Sequence, residues 1–174
     1  AGVTTTVLAK TGDSAKDIAS KVNALTSSSG VSALAKTSAT IANIGTDAAG
    51  AVADPTASMG VKFTLKSANT DAVTISASVK TGDLSALAQA INAHSGTTNV
   101  TASVKVNQTT NQKELQLDNI NGDDIKIEGT TDTTNNAMTS ALMRGADVGG
   151  VASTTTAAMS GTATPPWRAA PSGP

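Results

Sequence analysis

Oxygen-bearing side chains crowd into one short stretch, which gives that stretch the clearest potential for chemistry, and four of them are candidate metal ligands. They lie within seven residues of one another: Asp118, Asn121, Asp123 and Asp124. Carboxylate and amide oxygens are the ligands that calcium prefers, so a calcium loop is one interpretation. The spacing does not fit an EF-hand, which would need an oxygen ligand at the position of Ile120. Asn121-Gly122 is instead a dipeptide typical of tight turns. The sequence therefore predicts a hairpin turn here and no metal site.

His94, the only histidine, could act as a general base toward one of the many Ser or Thr hydroxyls. It falls at the end of a predicted helix, where a partly exposed imidazole near the helix dipole is ordinary. The sequence has no cysteine, glycine-rich phosphate loop, nucleophile elbow or metal-binding helix motif. We therefore predict that the protein is not an enzyme and has no catalytic, cofactor-binding or metal-binding residues.

Two asparagines match the N-glycosylation sequon, in Asn99-Val100-Thr101 and Asn107-Gln108-Thr109. The chain is rich in Thr and Asn, so such matches arise by chance. N-linked modification is therefore not predicted.

The composition excludes several classes of partner. Lys and Arg total 12 against 13 for Asp and Glu, without a basic cluster, so neither nucleic acid nor an anionic membrane is a predicted partner. No apolar run approaches the roughly 20 residues that span a bilayer. The only aromatic residues are Phe63 and Trp167, so any core must be aliphatic.

An internal repeat organises the elements that carry these residues. Residues 11–37 resemble residues 81–106, with Asn23 and Asn92 standing 69 positions apart and Val31 and Val100 at the same offset. Apolar residues at helical spacing predict one amphipathic helix per copy: Ala15, Ile18, Ala19 and Val22 in the first, and Leu84, Leu87, Ala88 and Ile91 in the second. Asp13 and Asp83 precede these helices and are their predicted caps.

Around the second helix the apolar residues alternate, which predicts five strands. They contain Val61 to Leu65, Val73 to Val79, Val100 to Val106, Leu115 with Leu117, and Ile125 with Ile127. A loop at Asn107 to Gln112 should close one hairpin, and Asn121-Gly122 another between the last two strands. In the first copy, Val3 to Val7 and Val31 to Lys36 are weaker candidate strands.

These elements predict an α+β fold of two related small units, each a short amphipathic helix packed on an antiparallel sheet. The first unit is residues 1–45, a linker spans 46–60, and the second, ordered β-β-α-β-β-β, is 61–130. Residues 131–174 are rich in Thr, Ala, Gly and Pro, which predicts a disordered tail or an extension introduced in cloning. Trp167, beside Pro165 and Pro166, is either a residue that binds the groove of a partner protein or part of that tail.

The second unit resembles the flagellin IN repeat. The similarity lies in VKFTLK, in TGDLSALAQAINAHSG with its Ala90-Ile91-Asn92 core, in TNVTASV and in ELQLDNINGDDIKIEG. The first unit is a weaker copy, with Lys21-Val22-Asn23 at the helix end. The resemblance covers roughly residues 1–130 and implies a variable outer domain of a bacterial flagellin, extracellular and exported without a cleaved signal.

In that interpretation the partners are other flagellin protomers, contacted through terminal helices that this sequence lacks, and host receptors or antibodies. Two alternatives remain open. One is a segment of the flagellar filament-cap protein, in which the same repeat occurs. The other is an extracellular glycan- or receptor-binding adhesion module, against which stands the shortage of aromatic side chains for stacking on sugars.

Overall fold

The computed structural model describes residues 4–46, 56–128, 136–138, 140–145, 157–158 and 167–168. The helices are α1 (Ala15–Asn23), α2 (Thr26–Ser29), α3 (Ser85–Asn92) and α4 (Ser95–Thr98), with a 3-10 helix at Asn136–Met138. The strands are β1 (Thr37–Ala42), β2 (Ser58–Lys66), β3 (Val73–Lys80), β4 (Val100–Val106), β5 (Lys113–Asn119), β6 (Lys126–Glu128), β7 (Leu142–Gly145), β8 (Ala157–Ala158) and β9 (Trp167–Arg168). The fold is α+β, as predicted.

The strands form two antiparallel sheets, ordered β4-β5-β1-β7-β8 and β3-β2-β6-β9. Helix α3 contacts β3, an edge strand of one sheet, and β4, an edge strand of the other. It therefore bridges the two sheets on one side. The predicted Asn107 to Gln112 loop does close the β4-β5 hairpin, with the Asn107 amide donating to the Gln112 carbonyl at 2.9 Å.

One apolar core, aliphatic except for Phe63 and two methionines, joins both sheets and α3. Alternation along β2 and β3 aims every second side chain at it, so that Phe63 and Ile75, which face each other across the strands, are each 1% exposed. Leu87 and Ile91 of α3 and Leu117 of β5 are fully buried. Burying each such side chain contributes about 1.5–3 kcal/mol, so this core is the main stabilising feature of the fold.

The turn at Asn121-Gly122 does not close a hairpin, which corrects the prediction. β5 pairs with β4 and β1, whereas β6 pairs with β2 in the other sheet. The turn therefore carries the chain from one sheet to the other. Asn119 fixes this crossing: it is fully buried, accepts from the Asn121 amide at 2.8 Å and donates to the Ser67 hydroxyl of the β2-β3 loop at 2.9 Å.

A strand of the first predicted unit belongs to the same sheet as strands of the second, which the sequence pattern does not indicate. β1 follows the first helix, yet it pairs with β5 of the second unit and with β7. The candidate strands in the first unit are not formed in the described residues: 4–10 and 31–36 have no strand pairing, and β1 begins only at Thr37. A strand needs a neighbour for its main-chain groups, and β5 supplies one from Thr37 onward.

The structure also differs from the expectation of a tail after residue 130. Ala137, Met138, Ala141 and Met143 are fully buried in the common core, and β7 pairs along β1. This segment is too short to show a periodicity of its own, and it orders because β1 offers it an open edge. The backbone of Trp167 pairs with Ile127, and most of the other residues after 145 lie outside the described part.

Neither predicted aspartate is the N-cap of its helix. In the second copy the N-cap is Leu84, which makes no side-chain cap hydrogen bond, and Asp83 before it accepts from the Ser85 amide at 3.0 Å. In the first copy the cap is Ser14 rather than Asp13, with a reciprocal capping box between Ser14 and Asp17. In both copies the N-cap is the residue after the aspartate, and the one-residue gap between the copies falls within the helix, since α1 has nine residues and α3 has eight.

Candidate interaction surface

Asn92, the last residue of α3, fastens the helix to the strand that follows. Its side-chain nitrogen donates to the Ala102 carbonyl at 2.9 Å, and its side-chain oxygen accepts from the Ala102 amide at 2.7 Å. The amide group thus pairs with β4 as a neighbouring strand residue would. This explains why the helix ends in asparagine, since few other side chains offer a donor and an acceptor at that reach.

The first repeat carries the same contact 69 residues earlier. Asn23 donates to the Ala33 carbonyl at 2.9 Å and accepts from the Ala33 amide at 2.8 Å. The short helices that follow also match, because Ser29 and Thr98 each bind a carbonyl four residues back and accept from the amide two residues ahead. The repeat inferred from the sequence is therefore a repeat of atomic contacts.

Removing the asparagine contact should weaken the second repeat measurably. Replacing Asn92 with alanine removes two hydrogen bonds, so we expect the free energy of unfolding to fall by about 1–2 kcal/mol in chemical denaturation. The matched variant Asn23→Ala should change global unfolding by less than about 0.5 kcal/mol and only speed exchange of the Ala33 amide. Equal losses of stability for the two variants would contradict the prediction that only the contact of Asn92 stabilises the whole fold.

The two repeats differ in how much of their apolar surface is covered. Leu87 and Ile91 of α3 are fully buried, whereas their counterparts Ile18 and Val22 of α1 are only half-buried. After the helix, Val100 is fully buried, while its counterpart Val31 is 56% exposed. The first repeat therefore has the local structure of the second but, within the part of the chain that the structure describes, lacks the sheet that covers the second.

The first repeat rests on the turn after β5. The Lys16 amide donates to the Gly122 carbonyl at 3.2 Å, and the Lys16 ammonium pairs with Asp123 at 2.9 Å. Lys36 pairs with Asp118 at 3.2 Å. A Cβ built at Gly122 would lie only 2.2 Å from the Ala35 Cβ, so the backbones meet where no side chain fits.

These contacts account for two of the four residues considered as calcium ligands. Partial burial acts to raise the pKa of Asp118, but hydrogen bonds from Ser38, Gln116 and Lys36 outweigh it and hold the pKa below its usual range. The hydrogen bond from Lys16 to Asp123 raises the pKa of Lys16. The two carboxylates thus act as docking partners for lysines of the first repeat.

The other two candidates do not join them in a cluster. The Asn121 amide donates to Asn119, and Asp124 has an interaction within the protein. Within the described ranges, no group of three or more His, Asp or Glu side chains is placed to hold a metal ion.

The remaining sequence candidates lie on turns. His94 is exposed, and its carbonyl accepts from the Thr97 and Thr98 amides at 3.0 Å each. Leu25 holds the same place in the first repeat, so this turn does not require an imidazole. Asn99 ends α4 in the left-handed conformation, with φ of 54°.

The side chain of the second sequon asparagine is already used. Asn107 donates to Glu114 at 2.7 Å and accepts from the Thr109 and Thr110 amides. A glycan on its amide nitrogen would compete with the bond to Glu114.

A shallow groove of about 280 Å³ runs along the first repeat. Its lining includes Ala19, Ala33, Leu34 and Ile120. Leu34 is fully exposed and Ile120 is 74% exposed, and with Leu8 and Val31 they make up most of the large exposed apolar side chains of the described residues. Apolar exposure is therefore concentrated on the first repeat and on the turn after β5 against which it rests, which makes this the candidate interaction surface.

The fold is that of a repeated α+β module. In it a short helix bridges two antiparallel sheets, and the contact between the asparagine at the helix end and the following segment occurs twice in the same chain. Residues 60–121 match the family described as the flagellin hook IN motif, so the predicted resemblance of the second repeat to that motif is confirmed. A comparison with curated proteins finds no relative. Within the described residues, no helix is long and apolar enough to cross a membrane.

Proposed function

We propose that the chain is a surface-exposed, variable outer region of a bacterial flagellin and serves a structural, non-catalytic role outside the cell. The observation that carries this proposal is the IN motif at residues 60–121, together with the same asparagine contact in the first repeat. In this proposal residues 1–45 and 61–130 are related repeat units joined by residues 46–60. Filament assembly with other flagellin protomers takes place through regions outside this sequence.

The geometry supports a structural role. The carboxylates of Asp118 and Asp123 are engaged with lysines of the same chain, and the side chain of Asn107 binds main-chain amides of its own turn. Such a module presents a folded, largely polar exterior to water, host molecules and antibodies.

Immunogold electron microscopy with antibodies against this chain tests the proposal on intact bacteria that make the protein. We expect gold along the whole length of the flagellar filaments. Gold only at the filament tips would replace the proposal with the filament-cap alternative. Gold on the cell body with bare filaments would favour an adhesion module.

A further inference from the structure

The first repeat contains a strand-like segment that no strand accompanies in the described residues. Residues 3–13 (VTTTVLAKTGD) align with residues 73–83 (VTISASVKTGD), with six of eleven positions identical. The turns at their ends are alike: the Asp13 amide donates to the Lys10 carbonyl at 3.0 Å, and the Asp83 amide to the Lys80 carbonyl at 2.9 Å. Residues 4–10 are thus the counterpart of β3.

The second repeat shows what the β3 position binds. β3 pairs antiparallel with β2 along its whole length, and Ile75 and Val79 point into the core beside α3. On β2 the residues that face β3 from the core side are large and apolar: Val61, Phe63 and Leu65. The hydrophobic face of an IN helix is therefore covered by a hairpin whose outer member is β3 and whose inner member is of the β2 type.

Residues 4–7 retain the alternation of a strand but lack that partner. Thr5 and Val7, at the positions of Ile75 and Ala77, are half-buried, while Thr4 and Thr6 next to them are exposed. From Leu8 to Lys10 every residue is exposed. The segment lies against α1, because the Lys21 ammonium donates to the Leu8 carbonyl at 3.2 Å. In the described part of the chain no strand pairs with it, so it presents an open edge.

We propose that residues 4–10, backed by the apolar face of α1, form a docking site for one additional antiparallel strand of the β2 type. The occupant is an extended segment with large apolar side chains at alternate positions, as in Val61, Phe63 and Leu65. Main-chain hydrogen bonds along the open edge give affinity, and the half-buried face of Ile18 and Val22 selects the apolar residues. Docking such a strand gives the first repeat the covering that the second repeat already has.

A synthetic peptide with the sequence of residues 57–67 supplies this strand in solution. Titrating the fluorescently labelled peptide with the full chain should give saturable one-to-one binding by anisotropy. In the saturated complex, amides of residues 5–8 should exchange with solvent at least about tenfold more slowly than in the free chain. A control peptide carrying Phe63→Lys should bind at least about tenfold more weakly.

Two adjacent substitutions in the chain provide the matched control. Val7→Lys places a charge on the face that receives the strand and should weaken peptide binding at least about tenfold, whereas Thr6→Lys, on the exposed face, should alter it less than about twofold. Neither residue lies in the common core, so both variants should unfold at the wild-type midpoint.

Three results would overturn the proposal. The first is absence of saturable binding, or binding indifferent to Val7→Lys. The second is protection that rises at residues 73–80 instead, which would mean that the peptide replaces β2. The third is a dimer in sedimentation with residues 4–10 protected without peptide, which would make a second copy of the chain the occupant.

Discussion

Replacing Gly122 with alanine is expected to detach the first repeat from the rest of the molecule and to lower the free energy of unfolding by about 2–5 kcal/mol. The added Cβ would lie 2.2 Å from the Ala35 Cβ and 3.0 Å from the Lys16 amide nitrogen, so backbone must move. The φ of 74° at this position adds the penalty of a left-handed conformation, about 1–2 kcal/mol. Chemical denaturation measures the loss of stability, and faster hydrogen exchange of the Lys16 amide reports detachment of the first repeat.

Gly82→Ala is the matched control for the Gly122 variant. Gly82 has a φ of 80°, but a Cβ there would meet no atom within 4 Å. We expect only the conformational penalty of about 1–2 kcal/mol, with exchange at Lys16 unchanged. Equal losses for the two variants would show that the close approach to Ala35 does not hold the repeats together.

Replacing Ile91 with alanine is expected to cost about 2–5 kcal/mol of stability, because the side chain is fully buried between α3 and the sheets. The counterpart substitution, Val22→Ala, removes a half-buried side chain from α1 and should cost about 1 kcal/mol or less. Thermal and chemical unfolding measure both. The contrast arises from the surrounding sheet, since the two residues hold the same place in the repeat.

A large loss for Val22→Ala would contradict this account. It would mean that α1 is covered as completely as α3. Exchange protection along α1 would then match that of α3, and the open edge of residues 4–10 would have to be covered in solution.

The second repeat was predictable because local pattern and tertiary environment agree there. Phe63, Ile75 and Leu117 alternate with polar residues, and Leu87 and Ile91 keep helical spacing, so each element follows from its own sequence. All five are buried as the pattern predicts. The asparagine at the helix end was recognisable as part of a motif. Its contact with Ala102, ten positions further along the chain, became visible only in the structure.

The errors fall where pairing depends on distant residues. Val31 to Lys36 has the composition of a strand but pairs with no strand among the described residues. Ile41, in an otherwise weak pattern, is buried because β5 and β7 flank it. Met143 could not be assigned for the same reason. The docking role of Asp118 and Asp123 was equally hidden, since their lysine partners lie in the other repeat.

The position of β1 has a consequence for how the protein acquires its structure. Ile41 pairs with Leu115, 74 residues later, and Ala39 with Gly145, 106 residues later. Such high contact order predicts slow folding, because the chain must close long loops before these pairs form. A polypeptide emerging from its N-terminus would keep β1 unpaired until most of the sequence had appeared, whereas the β2-β3 hairpin could form much sooner.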